Sequence, residues 1–238
     1  MPDAAVEGLA TNPAAKVIVF VDGQNLYKTC KSLFGHPLCH PHLLAQHLAG
    51  ERRHVGCRFY TGRPNPNNDP TGARNLDRRL SIMRREGVTV ITRPLRYHWD
   101  WGHQGRKLPR PGPNVLPQEV LLTPWMRPQE KGIDLVIGLD VVELLVTRVC
   151  DVAIIVSLDR DLYEIPQAIQ NLGRLIAQPV RLEAAVPVPD SQRQPKILPG
   201  FSYTHQINRQ VFQGIQDNID YTAPDSVWTP PQVPRTIS

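Results

Sequence analysis

Aspartates stand just past two apolar runs that are far apart in the chain. KVIVFVD (16–22) closes on Asp22, and DVAIIVSLDRDL (151–162) carries Asp159 and Asp161 beyond its apolar stretch. Carboxylates at the lip of a strand, beside a helix N-terminus, can hold a metal, serve a phosphate, act as nucleophiles or simply cap the helix. Asp134, within KGID (131–134), is a further candidate at a helix start. Taken singly, each acid fits a structural role, Asp159 and Asp161 as caps and Asp22 as a turn residue. Taken together they favour a cation site. Carboxylates brought within a few ångströms repel one another, and a divalent ion compensates them. Oxygen donors that leave room for water suit Mg²⁺ or Mn²⁺.

Bringing these acids together requires a particular architecture. KVIVFVD reads as a strand buried on both faces, as in a parallel sheet covered by helices. GQNLYKTCKSLFG and a segment beginning after Pro41 read as helices, HVGCRFYTG (54–62) as a strand, and TGARNLDRRLSIMRREG (71–87) as a helix. In that last helix Leu76, Leu80 and Met83 share one side, and Arg74, Arg78 and Arg85 the other. VTVITRPL begins another strand near Val88. KGIDLVIGLDVVELLVTRV (131–149) reads as a long, largely buried helix, DVAIIVS as a strand, and LYEIPQAIQNLG as a helix with Pro166 in its first turn. PVRLEAAVPV holds a last strand, with a short helix after it at HQINRQVFQGI.

Alternating strands and helices predict a three-layer α/β/α domain with a mostly parallel central sheet, over residues 16–215. Residues 1–15 read as a disordered lead and 216–238 as a flexible tail. The segment 97–129, rich in Pro, Gly and Trp, reads as an insertion with room for a short hairpin. In such sheets ligands bind beyond the C-terminal ends of the strands, where Asp22, Asp159 and Asp161 fall.

The chain has 238 residues, 41% hydrophobic and 21% charged, the balance of a soluble globular protein. No apolar run is long enough to span a bilayer, and the N-terminus lacks the features of a secretory signal. A cytoplasmic protein is expected. The four cysteines, Cys30, Cys39, Cys57 and Cys150, suit a reducing compartment better than a disulfide framework. Cys30, His36, Cys39, His40, His42 and His47 match no zinc-finger spacing. The net charge of +5 favours polyanionic partners without identifying one.

VFVDGQNLY (19–27), RFYTGRP (58–64), KGIDLVIGLD (131–140) and DVAIIVSLDRDL (151–162) together resemble the successive motifs of the NYN domain of the LabA-like type. That domain belongs to the PIN-like ribonuclease superfamily. The resemblance runs from about Lys16 to about Val186 and keeps the motifs in the family's order. It implies a metal-dependent ribonuclease with Asp22, Asn25, Asp134, Asp159 and Asp161 at its catalytic site. Asp22, Asp134, Asp159 and Asp161 would hold Mg²⁺ or Mn²⁺, and cleavage would leave 5′-phosphate and 3′-hydroxyl ends. Asp140 also matches a recurrent family aspartate. It lies about 240° round a helix from Asp134, so an ion pair is an equally good reading. Leu158 and Leu162 stand where many relatives carry Gly and Phe; every acid is retained.

With RNA as the implied partner, single-stranded by preference, Arg63, Arg74, Arg78, Arg96 and Lys131 are the candidates for phosphate contacts. Arg58 and Arg93 are further ones. Tyr60, Tyr97, Trp99 and Trp101 are candidates for stacking on unpaired bases. Rival readings are a non-catalytic RNA-binding or scaffold module on the same fold, and a nuclease acting on DNA flaps. A haloacid-type phosphatase would need D-x-D where this chain has DGQ. A receiver domain would need a lysine after its last strand. The proline-rich tail could mediate contacts in a homo-oligomer.

Overall fold

The computed structural model describes residues 4–102, 123–176, 179–191 and 198–221. In chain order its elements are α1 (Ala4–Gly8), β1 (Lys16–Asp22), α2 (Gly23–Phe34), α3 (Pro41–Ala49), β2 (Arg53–Arg63), α4 (Pro70–Arg85), β3 (Val88–Pro94), β4 (Arg96–Gly102) and β5 (Thr123–Gln129). Then follow α5 (Ile133–Val146), β6 (Val152–Val156), a 3₁₀ turn (Arg160–Glu164), α6 (Ile165–Ile176), β7 (Arg181–Pro187), β8 (Tyr203–Ile207) and α7 (Arg209–Ile215). Six strands form one parallel sheet in the order β3-β2-β1-β6-β7-β8. The order reverses direction between β1 and β6. A crevice at the C-terminal ends of the strands belongs at that reversal.

Alternation along β1 builds both layers of the core. Val17, Val19 and Val21 face α2, α3, α4 and α7, packing with Leu26, Leu44, Leu80 and Phe212. Ile18 and Phe20 face α5 and α6, packing with Ile133, Ile137, Val141 and Ile165. Each large side chain so buried contributes about 1.5–3 kcal/mol of transfer free energy, which is why a run apolar at every position settles at the sheet centre. The three-layer reading therefore holds, and the sheet is parallel throughout.

Several boundaries differ from the sequence reading. Within the lead, residues 4–8 form α1, which is docked where Arg181 Nη1 lies 3.3 Å from Glu7 Oε2. The strand at 181–187 is not the last, because YTHQI forms β8 before the short helix α7. Its side chains include Thr204 and His205, so its apolar pattern is weak. The insertion does contain a hairpin, β4 paired antiparallel with β5, while its residues 103–122 lie outside the described set. Helix α5 is less buried than its composition implies: Leu135 is 67% and Leu139 61% exposed. At the other end, Tyr221 donates from its hydroxyl to the fully buried Asp217, at 2.6 Å, so packing continues past residue 216. The remainder of the expected tail, 222–238, lies outside the described residues.

Away from the C-terminal ends of the strands, a buried ionic knot ties β7 and β8 to the turn before β2. Arg52 forks onto Glu183 at 2.9 and 3.0 Å, Arg181 Nε lies 2.6 Å from the same carboxylate, and His205 Nε2 lies 2.7 Å from it. Burial alone would raise the pKa of Glu183. Hydrogen bonds from His205, Arg52 and Arg181 outweigh it and hold the group at about 2.

Candidate functional site

Asp22 ends β1 and begins α2. Its Oδ1 accepts from the Asn25 backbone N–H at 3.0 Å, capping the helix, and its Oδ2 accepts from Ser157 Oγ at 3.0 Å. Ser157 follows β6, and its Oγ also accepts from the Asp159 backbone N–H at 3.0 Å. Asn25 Oδ1 accepts from the Leu158 backbone N–H at 2.9 Å. The two central strand ends are thus stitched together by side chains the DGQN and SLD motifs supply. Asp159 Oδ1 accepts from the Asp161 backbone N–H at 3.1 Å, capping the 3₁₀ turn. The capping role open to Asp159 is realised, and Asp22, read as a turn residue, is itself the cap of α2.

Gly23 lets this corner close. A Cβ at that position would stand 2.8 Å from Tyr60 O and collide with the edge of the Phe59 ring at Cζ and Cε1. Gly23→Ala is expected to lower stability by about 1–3 kcal/mol, as overpacking does, with a reduced urea midpoint as the readout. An unchanged midpoint would show that β2 yields at no cost.

A pocket of about 140 Å³ lies at this corner, lined among others by Asp22, Asn25, Lys28, Glu130, Lys131, Asp134 and Asp159. Asp134 enters from the first turn of α5, behind Gly132 at φ 79°. Of the residues singled out in the sequence, Asp22, Asn25, Asp134, Asp159 and Lys131 meet at this pocket. Asp161 is exposed and is not among its lining residues. Glu130 was missed. It sits at the exit of β5, next to the insertion, and accepts from the Gly62 backbone N–H at the end of β2. Its only signal in the sequence was adjacency to KGID.

The acids act on one another's protonation. Asp22 is raised above the usual carboxylate range, chiefly by burial and further by the charge of Asp159, against hydrogen bonds from Asn25 and Ser157. Asp134 is raised by burial and by the charges of Asp22, Asp159 and Asp161. Glu130 is pushed up to about 7 by burial and by Asp22 and Asp134, despite its Gly62 bond and Lys28. The side chains do not converge further. Among the described residues no three His, Cys, Asp or Glu form a group that could hold a metal ion as they stand, the histidines and cysteines of residues 30–47 included.

A raised carboxyl pKa has a signed consequence for Glu130. The folded chain binds that proton more tightly than the unfolded chain, so stability falls as pH rises from about 4.5 to about 7. Glu130→Gln, measured with EDTA present, should therefore raise Tm relative to the parent at pH 8 and leave it little changed at pH 4. An equal difference at both values would remove the charge conflict from the account.

Other candidates have structural partners. Asp140 accepts from Arg58 at 2.6 Å and from the Tyr60 hydroxyl at 2.7 Å, so it is an ion-pair residue. Arg58 is correspondingly engaged, and Tyr60, fully buried, cannot stack on a base. Arg63 forks onto Asp77 at 3.0 and 2.7 Å, and Arg78 Nη1 donates to Tyr221 O at 3.0 Å. Arg96 is exposed on β4, where the Tyr97 hydroxyl accepts from the Asn65 N–H and Trp99 is 72% exposed. The side chain of Trp101 lies outside the described set.

A doubly wound parallel sheet with an acid-lined pocket where its strand order reverses defines the class of molecule. The NYN domain model matches residues 16–183, and the chain belongs to that family, whose members are generally PIN-like nucleases. Among solved structures, a protein of unknown function from Vibrio parahaemolyticus superposes with a TM-score of 0.51 at 18% identity. The similarity covers 84% of this chain and 96% of that one. At that identity the likeness is one of fold. No curated protein matches the chain. Among the described residues no helix is long and apolar enough to cross a membrane.

Proposed function

We propose that the chain is a metal-dependent ribonuclease that hydrolyses RNA phosphodiester bonds at the pocket between β1 and β6. The observation that carries this reading is the gathering of Asp22, Glu130, Asp134 and Asp159 around one small opening at the strand-order reversal, where burial, with neighbouring charge, raises the carboxyl pKa values of Asp22, Glu130 and Asp134. Like charges held together in this way are relieved by a cation. An all-oxygen carboxylate lining fits Mg²⁺ or Mn²⁺ in donor chemistry. Asp22, Asp134 and Asp159 would hold it, with Asp161 and Glu130 as further acids. When bound, such an ion lowers the pKa of a water and neutralises charge developing on the phosphate.

The chain's own groups supply the rest. Lys131 and Lys28 bring positive charge to the pocket and can steady a phosphate oxygen. Asn25 keeps its amide NH₂ as donor while its carbonyl holds the 157–159 segment. Glu130, near neutral pKa, can accept or release a proton close to Asp22 and Asp134.

The test is cleavage of a labelled single-stranded RNA with Mn²⁺, with Mg²⁺ and with EDTA. Cutting that needs the metal supports the assignment. Binding without cutting in either metal would replace it with the RNA-binding module.

A further inference from the structure

We propose that the groove along α4 is a second track for the RNA, holding phosphates of a single strand beyond the nucleotides at the acid-lined pocket. The proposal rests on the ribonuclease reading and adds where the rest of the substrate lies. The groove has a volume of about 570 Å³ and is lined by Arg74, Arg78 and Arg85 together with Pro66, Pro70 and Ile82. Arg74, Arg78 and Arg85 fall at positions i, i+4 and i+11, a single stripe on the helix. At 1.5 Å per residue the stripe extends about 16 Å, enough for more than one phosphate.

The charges of Arg74 and Arg85 are not cancelled. Arg74 and Arg85 are exposed and make no hydrogen bond or ion pair among the described residues. Asp77, the acid in the lining, is already held by Arg63, at 2.7 Å. Guanidinium groups suit phosphate oxygens through paired N–H donors. Between them, the prolines and the edge of Ile82 give an apolar floor. A duplex hides its base faces, whereas an unpaired strand can lay them on such a floor.

Groove and pocket both border the end of β2. Gly62 and Arg63 are consecutive at the end of β2: the Gly62 N–H binds Glu130 of the pocket lining, and the Arg63 side chain binds Asp77 of the groove lining. The end of β2 is thus shared by the two linings, and a strand leaving the pocket across it would be directed towards the groove. Short RNAs would fill only the pocket, and longer ones both.

Binding is read by fluorescence anisotropy in EDTA, with the full chain carrying Asp159→Asn and labelled RNAs of 4 and 16 nucleotides. The 16-mer is expected to bind more tightly than the 4-mer. Arg74→Glu with Arg85→Glu should weaken the 16-mer on the order of tenfold or more, leave the 4-mer unchanged, and lower the salt slope by about 1.4, or 0.7 per lost phosphate contact. Arg74→Ala with Arg85→Ala, which introduces no repulsion, should lower the slope equally. Unchanged 16-mer affinity and slope in both variants would overturn the proposal, as would a 16-base-pair duplex bound as tightly as the single strand. Cleavage of the 4-mer in Mn²⁺ separates the two claims. If the parent cuts neither length, the ribonuclease reading fails. If parent and variants cut the 4-mer alike and all keep the preference for length, the groove alone fails.

Discussion

Changing Asp159 to asparagine is expected to lower the rate of RNA cleavage at least about 100-fold and leave the fold intact, as loss of a charged metal ligand should. Asparagine can still accept from the Asp161 N–H, so the cap on the 3₁₀ turn survives while the charge is lost. Asp22→Asn should give a similar loss of rate. It should also raise Tm in EDTA, because ionising the buried Asp22 beside Asp159 opposes folding at neutral pH. Asp161→Asn should be milder, since Asp161 does not line the pocket. Single-turnover cleavage in Mn²⁺ ranks the three, and an Asp159→Asn protein that cuts as fast as the parent would remove Asp159 from the chemistry.

The largest effect on stability is expected at the opposite end of the sheet. Glu183→Ala leaves Arg52 and Arg181, both nearly buried, without their shared counter-charge. Breaking a buried ion pair from one side costs about 3–5 kcal/mol, and urea unfolding would show a correspondingly lower midpoint. The same group predicts acid sensitivity. Its folded pKa, about 2, lies below the unfolded value near 4.5. Its contribution is therefore complete above pH 4.5 and lost as pH falls towards 2. A Glu183→Ala protein as stable as the parent at pH 7 would mean that water already solvates the knot.

Much of this was legible in the chain because the central strands carry one dominant signal. Runs such as VIVFV and VAIIV can be buried on both faces only in a covered parallel sheet, and the acids that follow them fall at its C-terminal edge by geometry. The edge elements carried weaker signals. In β8, YTHQI alternates too loosely to stand out, and α1 is held by Arg181 and Glu7, a pairing across more than 170 residues that no local pattern encodes. Asp140 and Arg58 could not be told from site residues by type, since only the fold shows that they meet each other. Glu130 was hidden for the opposite reason: it lies at the foot of an irregular segment, and the hairpin above it delivers it to Gly62.

The reversal of strand order has a consequence for the life of the chain during synthesis. The bond between Ser157 and Asp22 spans 135 residues, so at ribosomal rates the second half of the acid-lined pocket follows the first by roughly 7–27 s. Through that interval the emerging polypeptide carries β1 with nothing beside it on the β6 side. Under the proposed function, the growing chain cannot cut RNA until Ser157 and Asp159 have emerged to join Asp22.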